Sequence, residues 1–159
     1  MIQAQYLMRS DLGPLYLVAS NKGLQGVFWE KQKATLVSSL DSNAPEIKIL
    51  LRATTQLEEY LKGKRKAFDL PLDVLGTPFQ MKVWEQLKKI PYGKTLSYSE
   101  LARLVKNDRA VRAVGTANGK NPLCIIVPCH RVIAANGTLG GYSGGLELKK
   151  KLLLHERQR

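Results

Sequence analysis

The sequence predicts an α+β protein in two parts, a small sheet-and-helix unit over residues 1–76 and a mostly helical unit over residues 77–159. Three observations carry this. Short stretches of alternating apolar and polar residues separated by turn-forming residues fill the first thirty positions. Helix-start signals with reciprocal caps recur after position 76. The charge is skewed as well: of the net +12, residues 1–76 carry ten Lys and Arg against eight Asp and Glu, and residues 77–159 carry fifteen against five.

Gln3 to Met8, Leu15 to Ala19 and Leu24 to Trp29 read as strands, joined by the turns Ser10-Asp11-Leu12-Gly13-Pro14 and Asn21-Lys22-Gly23, so a three-stranded meander is expected. Leu36, Val37 and Leu40 suggest a weak helix between Lys33 and Leu40. Pro45 suits a first helical turn, and Ile47, Leu50, Leu51, Leu57 and Leu61 fit one helical face that Gly63 closes. Glu58 and Glu59 diverge on that helix and read as a solvated edge.

Thr77-Pro78-Phe79-Gln80 opens a helix to about Lys89, with Phe79, Val83, Leu87 and Ile90 on its inner face. Pro91-Tyr92-Gly93 stops it, and Ser97-Tyr98-Ser99-Glu100 caps a short helix ending near Val105. Asp108 is a suitable N-cap for a third helix to about Asn118, with Gly119 as its stop. Two short helices across a tight turn in a basic segment describe a helix-turn-helix. On the third helix Ala110, Ala113, Val114 and Ala117 form a small-residue face, with Arg109, Arg112 and Thr116 opposite. Those arginines suit phosphates or insertion among bases, or else are simply solvated. The basic half likewise suits a polyanion, nucleic acid first, or else only keeps the chain dispersed.

The chemistry-bearing stretch is Cys124 to Ile133, an apolar run that delivers a thiol, an imidazole and a guanidinium at Cys129, His130 and Arg131 directly after Pro128. An adjacent Cys and His are by themselves as readily a packed core as a nucleophile and its base. The last helix, from Leu146 to about Arg157, buries Leu148, Leu152 and Leu153, and Glu156 continues that stripe. A carboxylate there needs a cationic or hydrogen-bonding partner, and His130 is the natural one, unless Glu156 lies in a frayed terminus. Gly140 to Gly145 forms a loop able to approach a ligand with its backbone. Two cysteines five apart make neither a disulfide framework nor a zinc cluster, so reduced thiols in a cytoplasmic protein are expected. With no apolar stretch of membrane-spanning length and no export-type start, a soluble chain is expected.

Pro91-Tyr92-Gly93, Ser97-Tyr98, Arg112-Ala113-Val114-Gly115, Asn121-Pro122, the run from Ile126 through Pro128-Cys129-His130-Arg131 to Val132, Gly141 to Gly145, and Leu154-His155-Glu156 stand in order and spacing together. In this the chain resembles the O6-alkylguanine-DNA alkyltransferases, densely over residues 77–157 and only in layout over residues 1–76. The resemblance implies a ribonuclease-H-like N-terminal subdomain and a winged helix-turn-helix. It implies that Cys129 accepts an alkyl group from O6 of guanine, and also O4 of thymine, in double-stranded DNA, with His130 as base through a water and Glu156 orienting the imidazole. Asn121 is then the hinge before an active-site strand. Arg112 is the finger entering from the minor groove, helped by Tyr98. Asn107, Arg109, Ala113 and Gly115 are further DNA contacts, Tyr142, Ser143, Val132 and Pro128 surround the flipped base, and Tyr98 or Lys149 protonates the departing guanine. The turn Asn107-Asp108-Arg109 departs from the proline common there, which leaves its contacts open.

The chemistry agrees with that assignment. A thiol with a reference pKa of about 8.5 needs a base near neutrality. An extruded base costs a few kcal/mol that a wedge offsets, and a thioether product offers water no carbonyl, so the protein is consumed in one event. No cofactor and no metal are expected, the N-terminal part having neither Cys nor His. The chain is expected to act as a monomer or to self-associate on DNA. Two rival readings are a non-catalytic sensor of alkylated bases, against which Cys129 speaks, and a cysteine hydrolase, for which no oxyanion-hole loop is evident.

Overall fold

The computed structural model describes residues 3–157 and divides between Val74 and Leu75 into two compact units. In the first, β1 (Gln3–Met8), β2 (Leu15–Ser20) and β3 (Leu24–Phe28) form the expected antiparallel meander. A fourth strand, β4 (Thr35–Val37), runs parallel to β1, giving the order β3-β2-β1-β4. The helix expected between Lys33 and Leu40 is therefore a strand. Tertiary capture decides it: the fully buried Gln5 side chain donates to the carbonyls of Gln32 (2.8 Å) and Ala34 (2.7 Å) and accepts from the Gln32 amide (2.9 Å). This clamp lays the segment along β1, and a three-residue apolar cluster has too little helix propensity to resist.

Helix α1 (Pro45–Leu61) covers the sheet, with Pro45 in its first turn and Gly63 (φ +76°) just past its end. Its buried face is Ile47, Leu50, Ala53, Thr54, Gln56, Leu57 and Tyr60, whereas Leu51 is 49% exposed, so the face is rotated from the one the leucines alone suggest. Each fully buried leucine here and in β2 contributes about 1.5–3 kcal/mol. Glu59 pairs with Arg65 at 2.9 Å, a partly exposed contact of little energetic weight. The chain returns beside β3 through Leu24 N–H to Pro71 O (2.8 Å) and Asp73 N–H to Leu24 O (2.9 Å). That approach requires Gly23, because a Cβ there would sit 2.8 Å from the Leu72 backbone.

The second unit begins with α2 (Pro78–Leu87), started by a complete capping box between Thr77 and Gln80. Its buried side chains are Val83, Trp84 and Leu87, with Ile90 following, while Phe79 is only half-buried. Trp84 donates its indole N–H to Ala117 O at 2.9 Å, tying α2 to α4 (Val111–Gly119). A two-residue strand β5 (Leu96–Ser97) leads into α3 (Tyr98–Leu104), capped by Ser97 and Glu100 as expected. Helices α3 and α4 pack on each other as a helix-turn-helix.

Asp108 is not the N-cap of α4. Lys106 takes a left-handed conformation (φ +62°), and Asn107 N–H bonds to Ala102 O (3.0 Å) while Lys106 N–H bonds to Arg103 O (2.9 Å), a Schellman closure of α3. A separate turn, Ala110 N–H to Asn107 O (2.9 Å), then postpones helix α4 to Val111. Nor does Gly119 stop α4 from outside: it is the last helical residue, and Lys120 is the C-cap. Beyond it, β6 (Val132–Ile133) pairs in parallel with β5, and α5 (Leu146–Arg157) closes the unit.

Candidate active site

The segment between α4 and β6 is held by Asn121, whose Oδ1 accepts from Leu123 N–H (3.0 Å) and whose Nδ2 donates to Val127 O (2.8 Å). Between these anchors the chain curls: Val127 N–H bonds to Leu123 O (2.9 Å), and Ile125 adopts φ +73°. A β-branched residue there is strained and persists only because its surroundings impose it. After Pro128, Cys129–Arg131 form a single 3₁₀ turn. The expected active-site strand is thus only Val132–Ile133. The amides of Ile126 and Val127 bond backwards within the loop, and Pro128 has none to offer a sheet partner.

The turn drives His130 and Arg131 inward onto Glu156, which α5 delivers from its buried stripe. His130 is fully buried and Glu156 is 2% exposed. His130 Nε2 lies 2.7 Å from Glu156 Oε2. Arg131 donates through Nε to Oε1 (2.8 Å) and through Nη2 to Oε2 (3.0 Å), and its Nη1 reaches Ile90 O (2.7 Å). Glu156 is therefore structured, and a carboxylate that would be prohibitively costly alone is charge-compensated and hydrogen-bonded. As an acceptor it fixes the imidazole proton on Nε2. Nδ1 is left as the basic nitrogen, buried and without a protein hydrogen-bond partner. Burial pulls the His130 pKa below its usual value, only partly opposed by Glu156, so the ring is neutral near pH 7.

Cys129 is 3% exposed and lines an open cleft of about 480 Å³. Hydrogen bonding to Cys124, followed by burial and the charge of Cys124, pushes its thiol well up; the Asn121 side chain and the Lys149 charge act the other way. The resting pair is thus a neutral thiol and a neutral imidazole. Lys149, fully buried on α5, donates to Val132 O (2.7 Å), Gly141 O (3.0 Å) and Leu139 O. Burial lowers its pKa to about 8. The Tyr98 ring stands 5.8 Å from the Lys149 Nζ; burial, then the nearby Cys129 charge, raises the phenol pKa against a hydrogen bond with the Gly141 backbone.

Of the residues expected at the site, Tyr98, Arg112, Gly115, Cys129, Tyr142 and Ser143 line this cleft. Arg112 and Ala113 are exposed on α4, and Asn107 and Arg109 are exposed in the turn before it. Pro128 and Val132 are buried and do not line the cleft, Val132 instead offering its carbonyl to Lys149. Two participants carried no expected role. Arg131 shares the Glu156 carboxylate. Asn118 is buried, lines the cleft and donates to Cys129 O (3.4 Å). Asn118 was open to the reasoning applied to Glu156, since it lies four residues from Val114 on a buried helical stripe.

Fold and site together define a helix-turn-helix protein with a buried cysteine, Cys129, lining a cleft. The model of the 6-O-methylguanine DNA methyltransferase DNA-binding domain matches residues 78–158, and that of the ribonuclease-like domain of the same enzymes matches residues 5–74. The constitutive methylated-DNA–protein-cysteine methyltransferase of Bacillus subtilis is 48% identical over 154 residues, covering 93% of this chain and 92% of its own length. The Methanosarcina acetivorans protein of that name is 46% identical over 147 residues, covering 92% and 94%. Among solved structures, Mycobacterium tuberculosis O6-methylguanine methyltransferase superposes with a TM-score of 0.87 at 40% identity, covering 99% of this chain and 94% of that one. The same enzyme in complex with DNA gives 0.87 at 40% identity, covering 98% and 93%. The chain belongs to the methylated-DNA–protein-cysteine methyltransferase family.

Proposed function

We propose that the chain repairs duplex DNA by moving the alkyl group of O6-alkylguanine, and of O4-alkylthymine, irreversibly onto Cys129. The observation that carries this reading is a buried thiol at the cleft beside a neutral imidazole whose tautomer Glu156 fixes. His130 takes the Cys129 proton at Nδ1 through a water. The sulfur attacks the alkyl carbon, the S–C bond forms as the C–O6 bond breaks, and the electron pair leaves on the purine. Because the resting thiol is neutral, the nucleophile is generated only when a base occupies the cleft, which limits wasteful side reactions of a single-use protein.

The purine anion collects a proton from Tyr98. Of the two candidate donors it fits better because the three N–H bonds of Lys149 are spent on carbonyls. Lys149 serves instead to hold the 139–141 loop and to place a positive charge near Cys129. Arg112, exposed at the cleft mouth on α4, fills the duplex from the minor groove when the base flips out, and Asn107, Arg109 and Ala113 meet the DNA around it. The reaction needs no cofactor, and the chain acts as a monomer.

The test is transfer of labelled methyl from duplexes carrying O6-methylguanine or, separately, O4-methylthymine. One equivalent per chain, abolished in Cys129→Ala, is expected with each. Several equivalents per chain, or transfer in that variant, would overturn the mechanism, and transfer from guanine alone would remove the thymine substrate.

A further inference from the structure

The Glu156 carboxylate serves two residues, and the mechanism uses only one of them. Arg131 meets it as a fork, with Nε on Oε1 at 2.8 Å and Nη2 on Oε2 at 3.0 Å, while His130 Nε2 shares Oε2 at 2.7 Å. The guanidinium is itself held, since Nη1 donates to Ile90 O at 2.7 Å and the Tyr92 ring centre stands 5.6 Å from its central carbon. Arg131 is 5% exposed, so its charge acts on Glu156 with little screening.

The number of protons in this cluster decides whether Nδ1 is a base. With Glu156 ionised, the ring keeps its single proton on Nε2, and Nδ1 keeps its lone pair. One added proton has two places to go. It makes an imidazolium, or it makes a neutral carboxyl that donates to Nε2 and leaves the ring proton on Nδ1. Both forms carry hydrogen on Nδ1, and neither accepts the Cys129 proton. Burial opposes the added proton most, Glu156 favours it, and the charges of Arg131 and then Lys149 oppose it. Cys129 in the same turn and the Tyr92 phenol packed on Arg131 are the other titratable groups at the cluster.

We propose that Arg131 is a positioning residue for alkyl transfer: its guanidinium holds Glu156 ionised against the imidazole, so that Nδ1 stays free for the Cys129 proton. The charge, more than the fork, performs this role, and lysine in its place keeps the one without the other. The inference deepens the repair reading and rests on it only where a transfer rate is measured.

Two measurements on the full chain test it. In a nitrogen-15 NMR titration of the two histidines, wild-type His130 should hold its proton on Nε2 at pH 7 and titrate below pH 6.5. Arg131→Gln keeps a donor and loses the charge, and should raise that titration by about 1–3 pH units. Arg131→Lys should bring most of it back. The single-turnover rate of methyl transfer from duplex should follow, its acid limb moving up in Arg131→Gln and returning in Arg131→Lys. A glutamine variant that is slower at every pH, with titration and acid limb unmoved, would make Arg131 a structural brace and overturn the proposal. A lysine variant that titrates like the glutamine one overturns it too. If Arg131→Gln does not fold, a wild-type ring protonated on Nδ1 at pH 7, or a raised titration in Arg131→Lys, is enough to reject it. The expected titration shifts in a chain that transfers no methyl would refute the repair reading and leave this inference standing.

Discussion

Glu156→Gln tests the site at its most heavily bonded atom pair. The carboxylate accepts from His130 Nε2 at 2.7 Å and from Arg131 Nε and Nη2 at 2.8 and 3.0 Å. Glutamine keeps one acceptor oxygen and turns an amide N–H₂ toward donors at the other. Hydrogen bonds to charged groups contribute about 1.5–3 kcal/mol each. Leaving the Arg131 guanidinium buried without its counter-charge raises the expected cost to about 3–5 kcal/mol. With an m-value of about 2 kcal/mol/M, the urea midpoint should fall by roughly 2 M. Fluorescence of Trp84, buried in the same unit, reports the transition. Adding Arg131→Leu should recover part of the loss, with a coupling energy of about 1–3 kcal/mol. A loss below about 1 kcal/mol, the level of an exposed ion pair, would refute the view that Glu156 is a buried, compensated charge.

Arg112→Ala should slow repair of duplex far more than reaction with free O6-benzylguanine, because Arg112 stands at the cleft mouth and not on the thiol; equal losses would remove its role as a wedge. Gly140→Ala should cost about 1–3 kcal/mol and slow alkyl transfer, since a left-handed residue (φ +71°) would gain a Cβ 2.8 Å from Tyr98 Oη. Gly137→Ala (φ +88°, open space) should bear the backbone strain alone and leave transfer unaltered. Below pH 6.5 the unfolded chain protonates His130 while the folded chain resists until lower pH. Stability should therefore fall as pH drops through that window, and His130→Asn should flatten this part of a urea-midpoint profile.

Where sequence periodicity met a strong local signal, the fold was legible. The capping boxes at Thr77 and Ser97 placed two helix starts, and the buried stripe on α5 singled out Glu156 before any partner was visible. Long-range hydrogen bonding was not legible. β4 exists because Gln5 grips residues 32 and 34, and no local pattern encodes that grip. Asp108 fails as a cap because the Schellman closure at Lys106 and the following turn use up the residues before Val111. The family resemblance implied a strand after Asn121, yet Ile125 and Pro128 bend the run from Cys124 into the turn that brings His130 to Glu156. Lys149 shows the same limit: a lysine on a charged helix gives no sign that its ammonium is fully buried on three carbonyls.

Intact-mass spectrometry of the chain after incubation with excess duplex containing O6-methylguanine tests the acceptor role of Cys129 most directly. The mass should rise by a single methyl group however long the incubation, and digestion should place that methyl on Cys129 in the peptide of residues 121–131. Unmodified protein alongside demethylated DNA, or a methyl group carried by Cys124 or any other residue, would contradict it.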